Sequence, residues 1–248
     1  MRFKNLIVSG CSFTEETKIR TSWASYVKDY LEISNYVNLG RSAAGNFYIC
    51  NSIIDEIQKN NYAPDDTLVL VMWSGPGRID LRLAYDILSL IRYPYKQVSY
   101  ELDKNYLFSS GLSNSWKTYP DVHPIFQPLY LNSDHHSLAK DTLMHITNLE
   151  NFLLVNKIQF KFMSFCNIWD DKNECIPTGC PSLGHFAKGT AALDKINFKN
   201  WIFADKQKNC IYEHSKQFGL LEPDGFHPTR EGHKRFANEV ILQYLENL

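Results

Sequence analysis

The run Thr67-Leu-Val-Leu-Val-Met-Trp73 constrains the fold more than any other stretch of the chain. Seven residues without a charge and without alternation describe a strand covered on both faces, and such strands belong to parallel sheets packed between helices. The flanking sequence agrees. Leu6-Ile-Val8 is a short apolar run ending at Ser9-Gly10, and residues 23–33 then set Trp23, Tyr26, Val27, Tyr30 and Leu31 at helical spacing. Tyr36-Val-Asn-Leu39 forms a second strand that stops at Gly40, and residues 47–57 place Ile49, Ile53, Ile54 and Ile57 on one helical face. Helical periodicity returns over residues 79–91 and 138–155, a fourth strand is expected over 160–165, a short fifth at 201–203, and a terminal helix over 230–245.

Strands alternating with helices predict an α/β fold with a parallel sheet of about five strands, joined by right-handed crossovers. In such sheets ligands sit at the carboxyl ends of the strands. Gly10-Cys-Ser12, Gly40 and Trp73-Ser-Gly-Pro-Gly77 each follow directly on a strand, so the three loops are expected to meet at one edge. Two segments interrupt the alternation, residues 93–136 and 167–200, and loops this long are usually functional or mobile. The first is rich in aromatics (Tyr93, Tyr95, Tyr100, Tyr106, Phe108, Trp116, Tyr119, Phe126, Tyr130), which suits either a lid over a substrate or a satellite core beneath a long loop. No repeat, low-complexity tract or linker marks a boundary, so residues 1–248 are expected to form a single domain carrying these two insertions.

The charge balance excludes several classes of partner. Lys and Arg number 26 against 27 Asp and Glu, which leaves no global field for nucleic acid or an anionic membrane. Six scattered cysteines do not read as a disulfide framework, so free thiols are expected. The first residues lack a signal-peptide core and no stretch approaches the roughly 20 apolar residues of a membrane span. A soluble, cytoplasmic protein beginning at its mature N-terminus is the expectation. Cys175, Cys180 and His185, even with Cys166, match no compact zinc-ligand spacing, so no metal is expected, and no cofactor either. A Gly-x-Ser-x-Gly elbow, a phosphate-binding glycine loop and His-Glu-x-x-His are all missing.

The most specific stretch is Pro223-Asp-Gly-Phe-His-Pro-Thr-Arg-Glu-Gly-His233. Asp224 and His227 are close enough to hydrogen-bond; a carboxylate on one ring nitrogen fixes the tautomer and leaves the other nitrogen to accept a proton from a hydroxyl. A helix cap at Thr229, with Asp224 and His227 as ordinary loop residues, is the structural alternative. The hydroxyl is supplied by Val8-Ser-Gly-Cys-Ser-Phe-Thr14, where Ser12 stands just past the first strand, although serine at such a position commonly serves only as a turn or cap residue.

Taken together, these segments resemble the SGNH (GDSL-like) hydrolases, whose first block is Gly-Asp-Ser and whose last is Asp-x-x-His. Here they read Gly10-Cys11-Ser12 and Asp224-Gly225-Phe226-His227, with Asn38-Leu39-Gly40 at the place of the second block. The resemblance spans nearly the whole chain. It implies a flavodoxin-like three-layer α/β/α sandwich, Ser12, His227 and Asp224 as a catalytic triad, and backbone amides of Ser12 and Gly40 in the oxyanion hole. Two blocks depart from the family. Cys11 replaces an Asp that does no chemistry itself, and Trp73-Ser-Gly-Pro-Gly-Arg78 stands where the family has Gly-x-Asn-Asp, whose Asn supplies an oxyanion donor. The expected substitute is Asn46, whose other role would be helix capping, with Ser74 as competitor; Trp73, Ser74 and Arg78 are the expected substrate contacts. The implied reaction is removal of a short acyl group from a small-molecule or carbohydrate ester. A non-catalytic glycan-binding module on the same fold and an O-acyltransferase are the alternatives.

Overall fold

The computed structural model describes residues 3–97, 105–109, 117, 119–172, 174–175 and 180–246. Its centre is a parallel sheet of four strands, β1 (Asn5–Gly10), β2 (Asn35–Asn38), β3 (Thr67–Trp73) and β7 (Gln159–Ser164), in the order β2-β1-β3-β7. β1 and β3 are interior, and every residue of β3 is buried, as its unbroken apolar run requires. Fully burying one such side chain contributes roughly 1.5–3 kcal/mol. The expected fifth strand is reduced to one bridge: Trp201 pairs parallel with Phe162, and Ile202 N donates to Phe162 O at 2.7 Å. A short 3-10 turn, Phe198–Asn200, delivers the chain to that point and the Phe203 ring stacks on Trp201, so the ladder goes no further.

Helices cover both faces. α1 (Trp23–Tyr30) begins at Ser22, whose hydroxyl accepts from Ala24 N, and α2 (Asn46–Asn60) packs against β1 and against α5 (His135–Val155). The C-terminal helix runs from α9 (Arg230–Phe236) through a π-helical segment (Ala237–Ile241) into α10 (Leu242–Leu245) and packs on α1. The protein is thus an α/β/α sandwich. Among the described residues no helix is long and apolar enough to cross a membrane.

The segment after β3 departs from its expected helix. Residues 79–91 split into β4 (Asp80–Arg82) and α3 (Tyr85–Leu90), because Ile79, Leu81 and Leu83 alternate with polar neighbours and so satisfy a strand. The two faces of β4 have different tasks. Ile79, Leu81 and Leu83 pack on a satellite core of Leu88, Ile91, Tyr93, Leu107, Val122 and Phe126, while Asp80 and Arg82 turn to α2. Arg82 pairs with Asp55 at 3.1 Å, and the Asp80 carboxylate accepts from Gly45 N (2.8 Å) and Tyr48 N (2.9 Å), capping α2 from outside its own sequence. Burial raises Asp80 to about 7 against those two hydrogen bonds and the nearby Arg78 charge.

Where it is described, the aromatic insertion packs as core: Tyr93 and Phe126 in the satellite cluster, and Tyr106 and Phe108 against the main core. β4 pairs antiparallel with β6 (Tyr106–Phe108), which also pairs with β5 (Lys96–Gln97); Tyr93 packs edge-on against Tyr95 and Tyr119, and α4 (His123–Asn132) contributes Phe126. Tyr100 and Trp116 lie outside the described residues. In the second insertion a short hairpin of β8 (Glu174–Cys175) and β9 (Cys180–Pro181) precedes two short helices, α6 (Leu183–Phe186) and α7 (Ala191–Asp194).

Candidate active site

After Gly10 the chain leaves the sheet through a tight turn in which Thr14 N and Glu15 N both donate to Cys11 O, at 2.9 and 3.0 Å. Phe13 is fully buried and packs on Phe165, Phe226 and the His227 ring, at centroid distances of 5.2, 5.0 and 5.1 Å. That anchor leaves Ser12, which is 8% exposed, at the carboxyl edge of β1. The Ser12 N–H has no acceptor among the described residues.

The other half of the site is the loop between α8 (Ile211–Gln217) and α9. Asp224 Oδ1 accepts from Phe226 N (2.8 Å) and His227 N (2.9 Å), and Gly225 has φ +69°, a conformation costly for a residue with Cβ. Thr229 caps α9 by accepting from Gly232 N, so the capping role and the Asp224–His227 pairing coexist. Asp224 Oδ2 lies 2.6 Å from His227 Nδ1, and His227 Nε2 lies 2.9 Å from Ser12 Oγ. Positions 215 residues apart in sequence thus form one continuous hydrogen-bonded chain.

Electrostatics favour a neutral imidazole. Burial lowers the proton affinity of His227, the charges of Arg20 and Arg78 lower it further, and the Asp224 hydrogen bond opposes them. Burial of Asp224 would raise its carboxyl, but the His227 ring and the two backbone N–H groups outweigh this and hold it at about 2. A carboxylate on Nδ1 fixes the proton there and leaves Nε2 as an acceptor toward the Ser12 hydroxyl.

The neighbouring expectations fare differently. Gly40 N donates to the Asn38 side chain at 2.8 Å, so its amide is engaged within the loop and does not face Ser12 as a free donor. The glycine answers a steric need: a Cβ there would come within 2.7 Å of Glu15 N and Thr14 C, so only glycine lets this loop lie against the Ser12 turn. Asn46 is buried, and its amide nitrogen is spent on Ser74 O (3.1 Å) and Thr142 Oγ1 (3.2 Å) while its oxygen accepts from Ser74 N (2.8 Å). Its expected place in the oxyanion hole is thereby corrected; it also does not cap α2, whose N-cap is Gly45. Asn46 clamps the end of β3 to α2 and α5.

Trp73 and Ser74 are likewise corrected as substrate contacts. Both are fully buried; Trp73 packs edge-on against Phe162, and the Ser74 hydroxyl faces protein rather than solvent. Arg78 is half-buried, donates to Ala44 O at 3.1 Å and lies near enough to His227 to act on its titration. It lines a cavity with Asn46, Asp80 and Thr142. Phe13, Phe226 and Arg20, in loops, and His233, on the buried face of α9, were not among the expected site residues: single aromatic, arginine or histidine side chains carry no spacing signal of their own. Cys166 is buried, whereas the side chains of Cys175 and Cys180 lie outside the described residues. Among the described residues no group of three or more side chains is disposed to hold a metal.

No family model matches the sequence, and no curated protein matches it either. Solved structures do resemble it. A lipolytic protein of the G-D-S-L family from Veillonella parvula has TM-score 0.53 at 13% identity, covering 98% of this chain and 99% of its own. An acetylxylan esterase from Geobacillus stearothermophilus, solved as a catalytic mutant, has TM-score 0.53 at 12% identity, covering 98% and 94%. The psychrotrophic esterase EstA from Pseudoalteromonas has TM-score 0.51 at 9% identity, covering 98% and 97%. The chain has the fold of the GDSL-like lipolytic proteins.

Proposed function

We propose that the protein is a serine esterase that removes a short acyl group from a small-molecule or carbohydrate ester. The observation that carries this is the unbroken Asp224–His227–Ser12 hydrogen-bond chain at the sheet's carboxyl edge; the esterases among its structural neighbours add support. His227 Nε2 takes the Ser12 proton as Ser12 Oγ bonds to the ester carbonyl carbon. The tetrahedral intermediate collapses, the bond to the alcohol oxygen breaks, and His227 returns the proton to that oxygen. Water, deprotonated by His227 in turn, attacks the acyl-serine and releases the carboxylic acid and free Ser12.

The developing oxyanion needs preorganised donors. The Ser12 N–H supplies one. With Asn46 and Ser74 engaged or buried, the second donor proposed is Arg78, whose charge acts on His227. A non-catalytic module would have no need of an assembled acceptor for the Ser12 proton.

The mechanism requires neutral His227, so kcat/KM rises with pH as that imidazole loses its proton. Because His227 is held below the ordinary histidine value of 6.5, the acid limb for short-chain aryl ester hydrolysis should have its midpoint below pH 6.5, with a slope of one proton. A pH–rate profile on an aryl acetate measures it; a pH-independent rate across that range would remove His227 as the base.

A further inference from the structure

A cavity of about 310 Å³ opens beside the triad, walled by Arg20, Arg230, His233, Glu222, Asp224 and His227. Its volume lies at the lower end of small-molecule sites. Arg20 reaches it from the turn closed by paired backbone hydrogen bonds between Thr17 and Arg20. The Arg20 guanidinium has no carboxylate or hydrogen-bond partner among the described residues: the nearby Glu16 is taken by Ser22, Ser25 and Tyr36, and Glu15 by Ser42. Arg230 donates to the Tyr26 hydroxyl, at 3.3 Å. Of the two carboxylates in the wall, Asp224 is committed to His227 and Glu222 stands exposed on the rim.

His233 adds an independent observation. It is 2% exposed, and neither ring nitrogen has a hydrogen-bond partner. Burial, with the Arg20 charge behind it, holds this imidazole down to about 3, so at neutral pH it offers one N–H donor and no charge. A half-buried guanidinium and an unsatisfied imidazole in one wall are left for something other than protein, since buried polar groups are normally paired.

The direction of proton transfer says which part of an ester belongs there. His227 must lie within hydrogen-bond reach of the departing alcohol oxygen, and His227, unlike Ser12, is also part of the cavity wall, so the cavity adjoins the site from the His227 side. We infer that the cavity binds an anionic group, carboxylate or phosphate, on the alcohol portion of the substrate, with Arg20 as its principal contact and His233 as a second donor. The substrate class is then an acylated acid, such as an acylated sugar acid or sugar phosphate; this rests on the esterase reading above.

Three acetyl esters test it: meta-acetoxybenzoate, meta-acetoxyphenyl phosphate and the neutral meta-acetoxybenzamide. A charge-assisted contact contributes about 1.5–3 kcal/mol, so one anionic ester should exceed the amide in kcat/KM by roughly tenfold to a hundredfold, chiefly through KM. The carboxylate and phosphate arms show which anion fits. Arg20→Gln should collapse the ratio to about one, and Arg20→Lys should restore part of it. Calorimetric binding of meta-hydroxybenzoate and meta-hydroxyphenyl phosphate to the intact protein needs no turnover. Arg20-dependent binding of either, without hydrolysis of any ester, would uphold the anion site and discard the esterase reading. Equal hydrolysis of all three esters, with neither product bound, would overturn the anion site and leave the esterase standing.

Discussion

Ser12→Ala should reduce hydrolysis of short-chain aryl esters by roughly 10⁴-fold or more while leaving the protein folded. The substitution removes only the oxygen proposed to bond to the acyl carbon. Ser12 Oγ makes its hydrogen bond to His227 Nε2 and to nothing in the core, and the turn that holds it depends on the Cys11 carbonyl and the Phe13 ring. Thermal unfolding of the variant should therefore match the wild type. Undiminished hydrolysis in the folded variant would mean that another group carries the reaction.

Asn46→Ala should show the opposite pattern, a large loss of stability with most of the turnover kept in the folded fraction. The asparagine makes three hydrogen bonds in a buried position, two to the backbone of Ser74 and one to Thr142 Oγ1. Removing it deprives Ser74 N and O of their Asn46 partner, and each buried unsatisfied group costs about 1–3 kcal/mol. The expected total is roughly 2–4 kcal/mol, or a fall in Tm of about 5–15 °C for a domain of this size. A variant of unchanged Tm whose turnover drops ~10²-fold would instead make Asn46 an oxyanion donor.

The contrast between Ser12 and Asn46 shows what the sequence could convey. β1 and β3 were legible because both-face burial leaves an unbroken apolar run, and α2 and α5 because one buried face repeats every 3.6 residues. The Asp224–His227 contact was legible because the two residues are three apart, so one local loop sets their geometry. Asn46 and Gly40 were placed by loop position alone. Nothing in residues 40–46 records that Ser74, across the sheet edge, would take up the Asn46 amide, or that Asn38 would take up the Gly40 N–H. Strand β4 was hidden for a related reason: Ile79, Leu81 and Leu83 fit either period over so short a span, and the satellite core they cover decides between them. Arg20 and His233 gave no signal at all, since their meeting depends on how the turn at residues 17–20 sits over the last loop.

The central claim is that Ser12 is a nucleophile activated by His227 and Asp224. Labelling the folded protein with a serine-reactive fluorophosphonate, followed by peptide mapping, tests this directly. The expected result is one modified serine, Ser12, with labelling lost in Ser12→Ala and strongly slowed in His227→Ala. A folded protein that takes no label, or takes it on another residue with Ser12 untouched, would contradict the claim.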